Sequence, residues 1–287
     1  MKKVAVINDL SGFGKCSLTA ALPVLSAIGV QCCPLATAVL TGQTDYPYFH
    51  CTDLTSMIPD YIDAWKRNNI HFDGIYSGYM TGIEQIHYFE EFLRQFREEN
   101  TFLLVDPVMG DDGRVYGMYT AELLEGMKQL SRKANLITPN LTEACLLADV
   151  PIENVLSYPD TDNLLIFARE VAKKLKFLAT EPQDIVITGI KCPDETSPFI
   201  YNLALTEKGE HVCHSQFFNR SFSGTGDLFA SVLCGCRTIG MSTADAMELA
   251  VKFLSHSIED TMKEDTDNND GVNFEKFLSE LIKGVRL

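Results

Sequence analysis

The sequence predicts an α/β protein: one three-layer α/β/α domain over residues 1–287, with a mostly parallel central sheet, an antiparallel hairpin and no separate lid domain. Three observations carry this. Short continuous apolar runs alternate with longer amphipathic stretches through the first two-thirds of the chain. Each such run is followed by a helical stretch, the pattern of parallel strands joined by crossover helices. The alternation then gives way to two apolar segments around Glu207-Lys208-Gly209-Glu210, which reads as a hairpin.

The buried strands fall at 4–7, 74–77, 102–105, 136–138 and 185–188. Helical stretches lie at 18–28, 54–68, 83–98, 121–133, 141–148 and 162–178. The hairpin strands are 199–206 and 211–217, and helices follow at 225–239, 243–262 and 274–283. Met1-Lys2-Lys3 before Val4-Ala5-Val6-Ile7 has the charge of a leader peptide. The apolar run is too short for one, and Asn8-Asp9 closes it, so it reads as the first strand.

Composition narrows the function. The formal net charge of -15 disfavours nucleic-acid and anionic-membrane partners. No apolar run reaches the roughly 18 residues of a membrane helix. The nine cysteines form no Cys-x-x-Cys pair, and Cys32-Cys33 and Cys234-Gly235-Cys236 lack zinc spacing, which suits a reducing, cytoplasmic setting. His50, His71, His87, His211, His214 and His256 have no metal-ligand spacing either.

Three segments carry candidate chemistry, each after a strand, where sites in open α/β sheets lie. The first is Ser223-Gly224-Thr225-Gly226-Asp227 ahead of an apolar helix. Glycines let backbone approach a ligand closely, and the amides and dipole at a helix head favour an anion. Asp227 there can take the proton of an attacking hydroxyl. A glycine turn with an aspartate cap explains the segment equally well. The second is Val105-Asp106-Pro107-Val108-Met109-Gly110-Asp111, in which Asp106 suits Mg²⁺ or a turn cap. The third is Thr138-Pro139-Asn140-Leu141-Thr142-Glu143. Asn140 and Glu143 have capping-box spacing, and in a cleft they would also help hold metal and phosphates.

Taken in order, these segments resemble the ribokinase-like superfamily and, within it, the pyridoxal kinases. The resemblance runs over nearly the whole chain through Ser77-Gly78-Tyr79 with Glu84-Gln85, Asp106-Pro107-Val108-Met109-Gly110, Thr138-Pro139-Asn140 with Glu143, Val186-Ile187-Thr188 and Gly224-Thr225-Gly226-Asp227. It implies an ATP-dependent enzyme that phosphorylates the 5′-hydroxymethyl group of pyridoxal, pyridoxine and pyridoxamine. It also implies Mg²⁺, a monovalent cation such as K⁺, and a homodimer. Asp227 would be the base, and Gly224, Thr225 and Gly226 the anion hole. Asp106, Asn140 and Glu143 would organise Mg²⁺ and the ATP phosphates, with Thr188 on the phosphates. Tyr79, Thr44, Asn8 and Asp9 would line the vitamin side.

Asn8-Asp9-Leu10-Ser11-Gly12 departs from the Gln-Ser-His run of many pyridoxal kinases and is nearer the hydroxymethylpyrimidine kinases. Those relatives usually carry cysteine where this chain has Asp227. Hydroxymethylpyrimidine (phosphate) kinase is therefore the first alternative, and a non-catalytic vitamin- or nucleotide-binding protein the second.

Other segments read as less than they suggest. Ser11-Gly12-Phe13-Gly14-Lys15-Cys16-Ser17 is not a Walker A loop, because Asp9 and Cys16 stand at required Gly and Ser/Thr positions. It reads as a strand-to-helix turn with a mobile Lys15. The run 265–271 fails as a calcium loop and reads as an exposed polar loop. The loop 191–197 is a flap candidate, with Lys191 steadying a phosphate or simply solvated.

Overall fold

The structure, a computed structural model, describes residues 1–117, 119–156, 158, 160–191 and 198–285. The chain forms two compact units, Met1–Leu103 with Arg220–Leu287, and Leu104–Asn219.

The first unit opens with β1 (Lys3–Ser11), α1 (Ser17–Ile28), β2 (Gln31–Leu40), β3 (Cys51–Asp53), α2 (Ile58–Arg67), β4 (Gly74–Ser77) and α3 (Ile83–Phe96). β1 pairs in parallel with β2 on one side and β4 on the other, and β3 closes the edge antiparallel to β2. Val4, Ala5 and Val6 are wholly buried, as expected of a strand covered on both faces. On one face Ile7 and Leu35 meet Ile58, Phe89 and Phe92. Behind them Trp65, Phe72, Phe92 and Phe96 form an aromatic cluster, with the Phe92 and Phe96 centroids 4.6 Å apart.

The second unit contains β5 (Phe102–Val105, of which Leu104 and Val105 belong here), β6 (Gly110–Asp111), β7 (Arg114–Val115), α4 (Ala121–Arg132), β8 (Leu136–Ile137), α5 (Leu141–Leu147), α6 (Thr161–Leu178), β9 (Asp184–Lys191), β10 (Phe199–Thr206) and β11 (Gly209–Gln216). β5, β8 and β9 run parallel; β10 and β11 are the antiparallel hairpin expected from the sequence.

The chain then returns to the first unit as α7 (Thr225–Thr238), α8 (Thr243–Thr261) and α9 (Leu278–Gly284). α7 is buried from Leu228 to Cys236. It lies so close to α1 that a Cβ on Gly235 would stand 2.7 Å from Ile28 Cδ1. Thr238 Oγ1 and Val4 both crowd Gly74, so α7 covers the face of the sheet to which Val4 points. Side chains alternate along a strand, so Asn8, four residues on, points to that face too.

Some boundaries differ from expectation. β1 does not close at Asn8-Asp9 but runs to Ser11, because both side chains find buried partners. The register with β2 shifts between Asn8 and Leu10. β2 was not expected: Pro34 interrupts its apolar pattern, and it is tolerated because β3 pairs only with Ala38, Val39 and Leu40, leaving Pro34 on the open edge. Segments 54–68 and 274–283 begin as 3-10 turns, Thr55–Met57 and Phe274–Phe277, before their helices.

Candidate active site

The first unit gathers Asn8, Asp9, Ser17 and Asp227. Asn8, fully buried, donates from Nδ2 to Asp227 Oδ1 at 3.2 Å. Its Oδ1 accepts from the amides of Asp9 and Tyr79, both at 3.0 Å. Gly78 makes this possible, since a Cβ there would lie 2.3 Å from Asn8 Nδ2. Asp9 is 6% exposed and accepts from Ser17 Oγ at 2.6 Å and Ser11 Oγ at 3.0 Å. Burial pushes the Asp9 carboxyl above its usual range, against the pull of those hydroxyls.

Asp227 sits in the first turn of α7 and is half-buried. Burial pushes its carboxyl up to about 6, and the Asp9 charge adds to this; the Ser17 amide and Asn8 hold it down. A carboxylate with that value is ionised at neutral pH yet basic enough to take a proton.

The turn ahead of α7 is fixed by backbone geometry. Gly224 has φ 78, and a Cβ there would fall 2.0 Å from the Lys15 carbonyl oxygen. Thr225 Oγ1 donates back to the Phe222 carbonyl at 3.0 Å. A Cβ on Gly226 would meet no atom within 4 Å, so this position is open to a ligand. The turn therefore presents unpaired helix-head amides beside Asp227, an arrangement suited to stabilising negative charge.

The remaining predicted residues of this unit are placed less tightly. Tyr79 is half-buried beside the cluster, and burial and the Asp9 charge push its phenol up. Thr44 is exposed in the turn after β2, and no described contact ties its side chain to the Asn8–Asp227 group.

In the second unit, Asp106 follows β5 and its Oδ1 accepts from Thr138 Oγ1 at 2.8 Å. Asn140 and Glu143 form the expected capping box at the head of α5, with bonds of 2.9 and 2.8 Å. Glu143 also accepts from the Met109 amide at 3.0 Å, and Asn140 Nδ2 donates to the Gly110 carbonyl at 2.7 Å. Thr188 pairs as a bridge with Asn140, its amide 2.9 Å from the Pro139 carbonyl. Lys191 is held by Asp112 at 2.8 Å. Residues 192–197 of the expected flap lie outside the described residues.

Glu143 is pushed well above the usual carboxylate range by burial first and then by the Asp106 charge. Two buried, mutually repelling carboxylates suit a divalent cation that neutralises them. Among the described residues no group of three or more His, Cys, Asp or Glu is assembled for a metal.

Sequence reasoning missed two features. Ser17, whose hydroxyl donates to Asp9, was visible only as part of a strand-to-helix turn. Residues 267–271 are more than an exposed loop. The Asn268 carbonyl accepts from the Ser223 amide at 3.0 Å, and Asp270 bonds Tyr46. Lys15 reaches the Val272 carbonyl at 3.1 Å and Glu275 at 3.0 Å, so it is tied down rather than mobile.

The sheet and its site segments are those of a ribokinase-like small-molecule kinase. The family model for phosphomethylpyrimidine kinase matches residues 14–271. The chain belongs to that family. A Bacteroides thetaiotaomicron protein classed with the phosphomethylpyrimidine kinases, crystallised with pyridoxal, is 36% identical with a TM-score of 0.88, over 98% of this chain and 95% of its own. Pyridoxal kinase from Lactobacillus plantarum is 28% identical with a TM-score of 0.86, over 99% and 97%. The pyridoxine/pyridoxal/pyridoxamine kinase of Bordetella avium is 27% identical over 264 residues, 88% of this chain and 83% of its own length.

Proposed function

We propose that this protein transfers the terminal phosphoryl group of ATP to the 5′-hydroxymethyl group of pyridoxal, pyridoxine or pyridoxamine. The observation that carries the chemistry is Asp227, raised to about 6, behind the Gly224 turn and held by Asn8. The relatives named for these vitamers, and the one crystallised with pyridoxal, support the substrate.

In this reading Asp227 accepts the hydroxyl proton as the vitamin oxygen attacks the γ-phosphorus. The new O–P bond forms while the bond to ADP breaks. The amides of the Gly224-Thr225-Gly226 turn stabilise charge on the transferred group. Tyr79, Thr44, Asn8 and Asp9 belong to the vitamin side; for Asn8 and Asp9 the role supported best is orienting the base, because their polar atoms are already engaged within the protein. Asn140, Thr188 and Lys191 serve the nucleotide phosphates. Asp106 and Glu143 would hold Mg²⁺, which when bound neutralises phosphate charge. The family match spans both compact units, which supports treating residues 1–287 as one kinase domain. We also read it as a cytoplasmic homodimer, as the resemblance to the pyridoxal kinases implies; the described cysteines are free, which is compatible with a reducing compartment.

The test is ADP release from MgATP with the three vitamers and hydroxymethylpyrimidine offered separately. Turnover on the vitamers supports the proposal. Turnover confined to hydroxymethylpyrimidine would show that the Asn8-Asp9 departure marks the substrate. Ligand-induced thermal stabilisation without ADP release would indicate a binding protein.

A further inference from the structure

Ser17 occupies a conformation its residue type seldom adopts. Five described non-glycine residues have positive φ: Ser17, Asn69, Asp112, Asp149 and Asn219. Four are Asn or Asp, which tolerate the left-handed region, and all four are exposed. Ser17 is neither Asn nor Asp, and it is 7% exposed, with φ 49. Strain of this kind persists where the surroundings enforce it, and it concentrates at working sites.

The bent backbone has a visible consequence. Ser17 opens α1, so its amide is one of the helix-head N–H groups left without an intrahelical acceptor. That amide is among the groups that hold the Asp227 carboxyl down. The hydroxyl of the same residue donates to Asp9 Oδ1 at 2.6 Å. One residue at the head of α1 therefore holds an acid on β1 that lies next to Asn8, the hydrogen-bond partner of Asp227.

We propose that Ser17 is a positioning residue for the phosphoryl transfer. Its hydroxyl fixes Asp9 at 2.6 Å, and Asp9 in turn lies against Asn8, which holds Asp227. This rests on Asp227 being the base. The charged and titratable groups around Asp227 are Asp9 on β1 and Cys16 ahead of α1, and Tyr79 faces Asp9. Without the Ser17 hydroxyl the pull that holds the Asp9 carboxyl down weakens, so Asp9 takes up its proton more readily and its upward push on Asp227 lessens.

Ser17→Gly separates this role from a purely structural one, because glycine keeps the left-handed backbone without strain and removes only the hydroxymethyl group. We expect folding to be preserved, kcat to fall by about 10- to 100-fold, KM for MgATP to hold, and the acidic limb of the pH–rate profile to move to lower pH. Wild-type kcat with an unmoved limb would overturn the proposal. In an Asp227→Asn background the same substitution should cost nothing further; a repeated full loss would also overturn it. If Asp227→Asn alone turned over normally, the base assignment would fall and Ser17 with it. A crippled Asp227→Asn beside a fully active Ser17→Gly would sink Ser17 alone.

Discussion

Asn8 and Asp227 are 219 positions apart and joined by a 3.2 Å hydrogen bond, while Gly78 leaves the space in which Asn8 turns. Asn8→Ala should lower kcat by about 10- to 100-fold while leaving MgATP binding intact, because it frees the base without touching the nucleotide side. Gly78→Ala should act in the same direction by displacing Asn8, with about 1–3 kcal/mol of lost stability from overpacking. Steady-state kinetics and urea unfolding of both variants check this.

Asp227→Asn keeps the shape of the side chain but removes its basicity. We expect turnover to drop by about 10²–10⁴-fold, the usual scale of a general base. Nucleotide affinity measured by calorimetry should be retained. Turnover near that of the wild type would remove Asp227 from the mechanism.

The pH dependence has two opposed parts. Asp227 must be ionised to act, so kcat/KM should rise as pH climbs through about 6. Its folded value lies above the 3.8 of an unperturbed aspartate, so the fold holds that proton more tightly than the unfolded chain does. Its contribution to stability is therefore fully present below the unfolded value and lost as pH rises through the folded one, by at most about 3 kcal/mol. The unfolding free energy of wild type minus that of Asp227→Asn, followed from about pH 4 to 7, should decline while activity climbs. A flat difference would contradict the burial argument.

Asp106→Asn should raise the Mg²⁺ concentration needed for half-maximal turnover more than it changes stability; an unchanged magnesium requirement would count against a metal role. Glu143→Gln should do the reverse in part. Glu143 accepts from two backbone amides, those of Asn140 and Met109, and glutamine has one acceptor oxygen to offer them. A buried amide left unmatched costs about 1–3 kcal/mol.

Phe92 is wholly buried and stacks among Trp65, Phe72, Phe89 and Phe96. Phe92→Ala should cost about 3–5 kcal/mol in unfolding free energy. A loss well under that range would mean that the cluster collapses into the gap.

Much of this site was legible in the sequence where its logic is local. Asn140 and Glu143 announce their capping box by spacing alone, and the Gly224–Asp227 turn announces a helix head. The parts that were missed depend on distant chain. Asn8 and Asp9 looked like the end of a strand because two polar residues break an apolar run, and nothing nearby reveals partners on α1 and α7. β2 was hidden by Pro34, whose tolerance depends on how far β3 extends. Residues 267–271 read as a solvated loop because their contacts, Ser223 and Tyr46, lie far back along the chain. The positive φ of Ser17 leaves no trace in residue type.

The docking of residues 267–271 onto the Ser223 amide bears on how the protein is made. During synthesis Asn8 emerges 219 residues ahead of its partner Asp227, and the Asn268 carbonyl that steadies the turn ahead of Asp227 emerges later still. In a nascent chain the Asn8 Oδ1 can already meet the amides of Asp9 and Tyr79, but its Nδ2 has no Asp227 to donate to until residue 227 is out. Contacts of such long sequence separation form late and slowly. A product shortened before Asn268 would retain every residue of the Gly224–Asp227 turn and still lack its brace, which makes residues 267–271 a checkpoint between a braced turn and a loose one.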